Sequence, residues 1–426
     1  MSTAHALPQG WTTIPLRYVC ELNPSIAFDG FDQDDDLTFL PMDRVKRGYF
    51  IPNTDKFSKL ASSYTAFEDG DIVLAKVTPC FENGNIAIAD ALVGGKGFGS
   101  SELFVIRPTA AERRFLFYYF QSSIFKQDGE ASMTGAGGLK RVSPDVLRQH
   151  HLPCPSQDIQ RLIADYLDRE TARIDGLIAE KERILALLEE KQAALISRVV
   201  TRGLDSNVVF KPSGLEWLDE IPAHWDTCQL KRTWASSDYG LSDSIRDEGD
   251  ITVLRMSCIV DGRVDVSKSG MITEVDSHLL LRRNDLLFNR TNSLDQIAKV
   301  GLVDFDPDEP LTFASYLVRI RTNHRATPQY LVALLNSSLF LEFARKNAIP
   351  AIGQANLSPT RYGEIHIPLP PMAEQKKIVT FLERDAEIST PVREHIRSSI
   401  NLLKERRAAL ITAAVTGQIP LEDMAS

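Results

Sequence analysis

The sequence predicts an α+β protein made of two similar mixed α/β domains in a pseudo-twofold arrangement, separated by two long antiparallel coiled-coil helices. Three observations favour this fold class. The chain of 426 residues repeats itself once, at an offset of 214 to 215 residues. Each copy begins with short apolar runs broken by Gly, Pro, Asn and Asp. Each copy then ends in a long stretch that is nearly free of Gly and Pro.

The repeat is clearest towards the end of each copy. His-Leu-Pro-Cys-Pro at 151–155 returns as His-Ile-Pro-Leu-Pro at 366–370, and the ungapped alignment from there contains 16 identities in 51 positions. Upstream, the segment 71–76 matches 285–290 at an offset of 214. Two copies indicate a pseudo-twofold molecule, because a solenoid needs three or more shorter repeats.

The first part of each copy predicts a mixed α/β globule. Apolar runs at 72–74 and 103–106 indicate strands, and a helical stretch lies near 113–126. The second copy repeats the pattern, without fixing a strand topology. The chain is therefore divided into globules at 1–152 and 205–367 and helical regions at 153–204 and 368–426.

Apolar residues in the first helical region recur at steps of three, four and seven, which is the pattern of a coiled-coil seam, and the second region keeps this pattern less regularly. The predicted seam residues are Ile163, Leu167, Ile174, Leu177, Ile184, Leu188 and Leu195 in the first copy and Ile378, Leu382, Val392, Ile396, Leu403 and Leu410 in the second. Gly176 and Pro391 occupy equivalent positions, and both are unfavourable inside a helix. Each region is thus predicted as a short helix followed by a longer one, with the two seams burying each other.

Composition and motifs exclude several functional classes. Five cysteines without a C-x-x-C pair predict reduced thiols and no zinc site. The absence of a signal-peptide pattern and of a long apolar run predicts a cytoplasmic protein without a membrane segment. Gly-Gly-Lys-Gly at 94–97 lacks the leading Gly and the hydroxyl residue of a P-loop, and no Asn/Asp-Pro-Pro-Tyr/Phe tetrad of amino-methyltransferases occurs. The chain alone is predicted to have no catalytic and no metal-binding residues. Its formal charge of -9 counts against a free-standing DNA binder.

The sequence resembles the specificity (S) subunit of type I restriction-modification systems over essentially its whole length. The resemblance rests on Glu-Gln-Lys-Lys-Ile-Val at 374–379, on Leu-Lys-Glu-Arg-Arg-Ala-Ala-Leu-Ile at 403–411 and on the segment 211–225, which begins Lys-Pro-Ser-Gly and ends Ala-His-Trp. The first copy departs from this pattern at its end, with Val-Thr-Arg-Gly at 200–203 where the second has Val-Thr-Gly at 415–417. The resemblance implies two target recognition domains that each read half of a bipartite double-stranded DNA site.

The resemblance also implies the partners. Two conserved helical regions set the spacer between the half-sites and dock two modification (methyltransferase) subunits, and restriction (nuclease-translocase) subunits join that complex. No cofactor is expected in this chain. S-adenosylmethionine belongs to the partner methyltransferase, and ATP and magnesium belong to the partner restriction subunit.

Two places in each globule supply side chains suited to phosphates and base edges. One follows the Asp-Ile/Leu run, and the other is the Gly-rich loop before Ser-Pro. The predicted DNA-binding residues are Lys76, Thr78, Lys140 and Arg141 in the first copy and Arg290, Asn292, Ser293, Gln354 and Asn356 in the second. Matching cations at 76 and 290 suit a shared phosphate contact, and divergent loops suit two different half-sites. Each of these residues is equally consistent with a solvated loop.

Two other readings stay open at this point. One is a specificity or fused subunit of another restriction-modification class, in which methyltransferase and nuclease share another chain. The other is a two-lobed scaffold that binds no DNA.

Overall fold

The computed structural model describes residues 7–60, 64–136, 138–242, 246, 248–351 and 353–425. Gly137, part of the predicted Gly-rich loop, lies outside these residues. The chain forms two compact units. The first runs to Glu182 and includes the chain again from Arg397, and the second is Arg183–Ile396. Each unit therefore contains one globule together with one part of each helical region.

The globule of the first unit is built around two four-stranded sheets. Its elements, in chain order, are β1 (Thr12–Pro15), β2 (Cys20–Leu22), β3 (Asp36–Leu40), β4 (Asn53–Lys56), α1 (Phe57–Leu60), β5 (Thr65–Glu68), β6 (Ile72–Ala75), β7 (Ile86–Ile88), β8 (Lys96–Gly99), β9 (Leu103–Pro108), α2 (Arg113–Tyr119), α3 (Ser123–Ala131), β10 (Thr134–Ala136), β11 (Leu139–Arg141), α4 (Pro144–Gln149) and β12 (His151–Cys154). One sheet has the order β2-β9-β6-β7 and the other β4-β3-β8-β5, while β10 and β11 form a hairpin. The long helix α5 (Gln157–Arg202) follows.

The globule of the second unit repeats this plan. Its elements are β13 (Phe210–Leu215), β14 (Leu218–Pro222), β15 (Asp226–Gln229), β16 (Trp234–Tyr239), β17 (Ile251–Leu254), β18 (Ile259–Val260), β19 (Arg263–Val264), β20 (Gly270–Ile272), β21 (Leu286–Asn289), β22 (Thr291–Asn292), β23 (Val300–Leu302), β24 (Leu311–Phe313), β25 (Leu317–Thr322), α6 (Pro328–Leu335), α7 (Ser338–Lys346), β26 (Ile349–Ala351), β27 (Gln354–Asn356), α8 (Pro359–Glu364) and β28 (His366–Leu369). The second long helix α9 (Met372–Val415) and the short α10 (Leu421–Met424) complete the chain.

The strand order confirms that one fold is used twice. The antiparallel run β2-β9-β6-β7 of the first unit corresponds to β16-β25-β21-β23 in the second. The parallel pair β3 and β8 corresponds to the parallel pair β17 and β24. With the two long helices, this arrangement confirms the predicted α+β class.

Both long helices contribute to the hydrophobic core of each globule. In the first unit the buried helical residues are Ile163, Leu167, Ile411, Ala414 and Val415. In the second unit they are Val199, Val200 and Ile378. The start of one helix and the end of the other are thus held by burial against the same globule.

The predicted breaks at Gly176 and Pro391 are wrong, because α5 and α9 are each continuous helices of 46 and 44 residues. A glycine costs a helix only about 1 kcal/mol relative to alanine, and a proline about 3 kcal/mol. Both ends of each helix are anchored in a core, so these local costs do not break the helix.

Three predicted seam residues are also corrected. Leu177, Ile184 and Val392 are 45%, 40% and 47% exposed. In α5 the neighbouring Ile178 is buried and Leu185 is half-buried instead. Because an α-helix has 3.6 residues per turn, a buried face drifts from a strict seven-residue repeat, and an adjacent apolar residue then takes the inner position. The other predicted seam residues are buried or half-buried: Ile163, Leu167, Ile174, Leu188, Leu195, Ile378, Leu382, Ile396, Leu403 and Leu410.

Contacts within the first unit show that α5 and α9 run antiparallel. Asp175 forms an ion pair with Arg407 at 2.9 Å, and Glu182 forms one with Lys404 at 3.2 Å. Residue numbers rise along one helix as they fall along the other. Among the described residues, none of the helices combines the length and the apolar composition needed to span a bilayer.

Candidate nucleic-acid interface

The two predicted DNA-binding places of the first globule lie in one surface. Val77 pairs with Arg141 as an antiparallel bridge, and the Thr78 N–H donates to the Lys140 carbonyl at 3.0 Å. The Thr78 hydroxyl donates to the Gly138 carbonyl, also at 3.0 Å. Residues 76–78 therefore add a third strand-like segment to the β10–β11 hairpin. We call this segment and the hairpin the first ribbon.

The second globule contains the equivalent surface, the second ribbon, formed by β22, β27 and β26. Thr291 pairs with Asn356, whose side-chain amide donates to the Thr291 hydroxyl at 2.8 Å. Ser293 donates its backbone N–H to Asn292 Oδ1 at 2.8 Å. Gln354 is exposed on the hairpin. Thus the structure brings together the two predicted places in each globule.

The matching cations, Lys76 and Arg290, stand at equivalent positions and share one structural contact. Lys76 Nζ donates to the Ser101 carbonyl at 2.5 Å, and Arg290 Nη1 donates to the Ser315 carbonyl at 3.3 Å. Each side chain is half-buried. A lysine has three N–H donors and an arginine five, so each cation keeps donors beyond this contact. Their role towards DNA stays a prediction.

Glu102 is a member of this surface that the sequence pattern did not predict. Arg141 donates to Glu102 from Nη2 at 2.7 Å and from Nε at 2.9 Å. Lys76 Nζ lies 4.0 Å from the same carboxylate. The hydrogen bond from Arg141, with further attraction from Lys76, lowers the pKa of Glu102. The one sequence feature that distinguishes this position is a difference between the two copies, because Glu102 of the first copy aligns with Tyr316 of the second.

Aromatic residues border the second ribbon, and these too were missed. The Arg290 guanidinium lies 5.1 Å from the ring centroid of Tyr239, within cation-π range. Tyr239 and Tyr316 are about half exposed, at 52% and 47%. The first ribbon has its own cation-π contact, between Lys76 and Phe104 at 5.6 Å.

The ribbons suit groove binding in their shape and their side chains. Every residue of β10 and β11 is exposed, as are those of β26, so these strands form no part of a core. Each ribbon contains a two-stranded hairpin, β10–β11 or β26–β27, and a two-stranded β-ribbon fits the major groove of B-DNA, where Arg, Lys, Asn and Gln can distinguish base edges. Among the described residues, no group of three or more His, Cys, Asp or Glu side chains is arranged to hold a metal ion.

Two copies of one α+β domain, each carrying a surface β-ribbon, define a duplicated two-domain protein. Residues 8–186 and 231–400 match the profile of the type I restriction modification DNA specificity domain. The chain belongs to this family of type I restriction-modification specificity subunits.

Similarity to individual relatives is distributed unevenly. The type I restriction enzyme EcoAI specificity subunit of Escherichia coli is 37% identical over 163 residues, covering 37% of this chain but only 27% of that subunit. The EcoKI specificity subunit of E. coli strain K12 is 22% identical over 432 residues, covering 98% of this chain and 91% of that subunit. A solved chain from a study of complex assembly and conformational transition of the type I R-M system has a TM-score of 0.72. It covers 97% of this chain and 100% of its own length at 17% identity, so it supports the fold alone.

Proposed function

We propose that this chain supplies the DNA sequence specificity of a type I restriction-modification complex. Each unit reads one half of a bipartite double-stranded site through its ribbon, and the paired helices fix the spacer between the half-sites. The observation that carries the proposal is the recurrence of the ribbon at equivalent positions in both units, with different side chains on it. A conserved geometry with divergent polar residues suits two half-sites of different sequence.

The proposed partners follow from the same assignment of the chain as a specificity subunit. The helices dock two methyltransferase subunits, and restriction subunits join the assembly. The chain itself catalyses no step. S-adenosylmethionine is bound by the methyltransferase partner, and ATP and magnesium by the restriction partner. The formal charge of -9 fits a subunit that grips DNA only within such a complex, where the partners supply much of the positive field.

The test is a selection from random duplexes. The purified chain is mixed with the duplex pool, with and without its methyltransferase subunit, at salt concentrations from 50 to 200 mM, a range over which phosphate contacts lose much of their contribution. We expect the complex to enrich a motif of two specified segments and an unspecified spacer, and the chain alone to bind weakly. A non-DNA-binding scaffold would give no salt-sensitive, motif-dependent retention in either arm.

A further inference from the structure

Arg141 is held at the exposed side of the first ribbon by a single carboxylate. Its Nε and Nη2 groups both donate to Glu102, in a fork-to-carboxylate geometry with a shortest distance of 2.7 Å. The Arg141 side chain nevertheless stays 46% exposed. One edge of the guanidinium is thus fixed while the other remains accessible.

The accessible edge has a defined chemistry. A guanidinium has five N–H donors, and the pairing with Glu102 occupies the edge formed by Nε and Nη2. The edge formed by Nη1 and the second hydrogen of Nη2 is left, and no group in the described part of the chain accepts from Arg141 Nη1. Two parallel donors match the O6 and N7 acceptors that guanine presents in the major groove.

The Glu102 carboxylate does not make this surface unfavourable for DNA binding. The first ribbon carries Lys76, Lys140 and Arg141 and has no acidic residue among its described positions. Glu102 lies beside the ribbon, and Arg141 and Lys76 together offset its charge. Glu102 therefore orients Arg141 without making the ribbon acidic.

We propose that Arg141 reads a guanine in the half-site contacted by the first unit, and that Glu102 is the positioning residue that holds the guanidinium for it. This inference rests on the proposed function and adds the base and the pair of residues that select it. The second unit lacks this pair, since Tyr316 and Asn356 stand at the equivalent positions. The effect should therefore be confined to one half-site.

The experiment compares genome-wide methylation maps of a host that expresses the partner subunits with wild-type, R141K, E102Q or doubly substituted chain. Lysine keeps the charge of Arg141 but loses the bidentate edge. We expect R141K to reduce the preference for guanine at one position by about 5- to 150-fold and to leave the other half-site unchanged. E102Q should also reduce the preference for guanine at this position. The double variant should lose no more of this preference than R141K does, because Glu102 acts through Arg141.

A matched control and a second measurement keep the outcomes separable. Arg148 pairs with Asp145 on the exposed surface of the same unit, so R148K should preserve the whole motif. E102Q is close to isosteric, and its unfolding transition would be compared with wild type. A wild-type motif retained by R141K would overturn this assignment alone. A wild-type complex that produced no motif would overturn the proposed function and this assignment with it.

Discussion

In the first unit, Arg107 donates from Nε and Nη2 to the two carboxylate oxygens of Asp71, at 2.8 and 2.9 Å. Asp71 is buried, and it also accepts the Glu68 N–H at 2.9 Å. The second unit repeats the pair with Arg321 and Asp285. Because Asp71 directly precedes β6, the pair fixes the start of the strand that leads into the first ribbon.

Breaking this pair should destabilise the first unit. Arg107→Met leaves the buried Asp71 carboxylate without its cation and also removes the 2.9 Å ion pair between Arg107 and Glu68, and we expect the free energy of unfolding to fall by about 3 kcal/mol. Arg148→Ala, which removes an exposed pair with Asp145, should cost no more than about 1 kcal/mol. Denaturant unfolding of the full chain measures both. Equal losses would show that burial of Asp71 does not govern the energy of the pair.

Stability should depend on the protonation of His150. Its ring is buried, with Nε2 2.7 Å from the Tyr119 hydroxyl and Nδ1 2.8 Å from Asp128. Burial lowers the pKa of His150 below its ordinary value of 6.5, although Asp128 opposes the shift. Below pH 6.5 the unfolded chain therefore binds a proton more readily than the folded chain. The contribution of the neutral His150 ring to the free energy of unfolding is present above pH 6.5 and is lost as the pH falls through the folded pKa.

The measurement is the free energy of unfolding as a function of pH between 5 and 8. We expect the free energy of unfolding of His150→Gln to fall less steeply below pH 6.5 than that of the wild type. His324→Gln changes an exposed histidine in the second unit and should leave the wild-type profile in place. An unaltered acidic decline in His150→Gln would contradict the assignment of the effect to this ring.

Lys76 and Arg290 should contact phosphates rather than bases. Replacing both with Ala is expected to weaken binding of the assembled complex and to reduce the salt slope by roughly 2, since each lost phosphate contact removes about 0.9. The motif should not change. Lys59 and Lys346 are exposed lysines paired with a carboxylate four residues away, one in each unit, and their alanine variants are the controls. A changed motif with an unchanged slope would assign base readout to the cations instead.

The helices should act as the ruler between the half-sites. A heptad inserted in α5 between Glu182 and Leu195, with a matching heptad in α9 between Arg393 and Leu403, lengthens both helices by about 10 Å. We expect a longer spacer in the methylated motif with both half-sites unchanged. An insertion in α5 alone breaks the register with α9 and should impair the complex. Retention of the original spacer by the double insertion would rule out the helices as the ruler.

Much of the fold could be predicted because the repeat and the heptad pattern are properties of the sequence itself. The exact residues of the coiled-coil seam could not be predicted. Leu177 and Ile178 are adjacent apolar residues, and only packing decides that Ile178 is the buried one. The continuity of the helices through Gly176 was also hidden, because it depends on anchoring at both ends.

The candidate site was predicted in part for a similar reason. Lys76 and Arg141 could be selected by residue type, but their meeting in one ribbon depends on pairing between distant segments. Glu102 joins Arg141 across 39 positions of sequence, and no local pattern marks such a contact. Polar residues that act through a partner are found only when the partner's position is known.

The most direct test is a long-read methylation map of the source genome with and without this gene. Two units that each read a half-site predict a methylated motif of two specified segments separated by an unspecified spacer, present with the gene and lost without it. Unchanged methylation after deletion, or a gene-dependent motif of one continuous segment, would contradict the account.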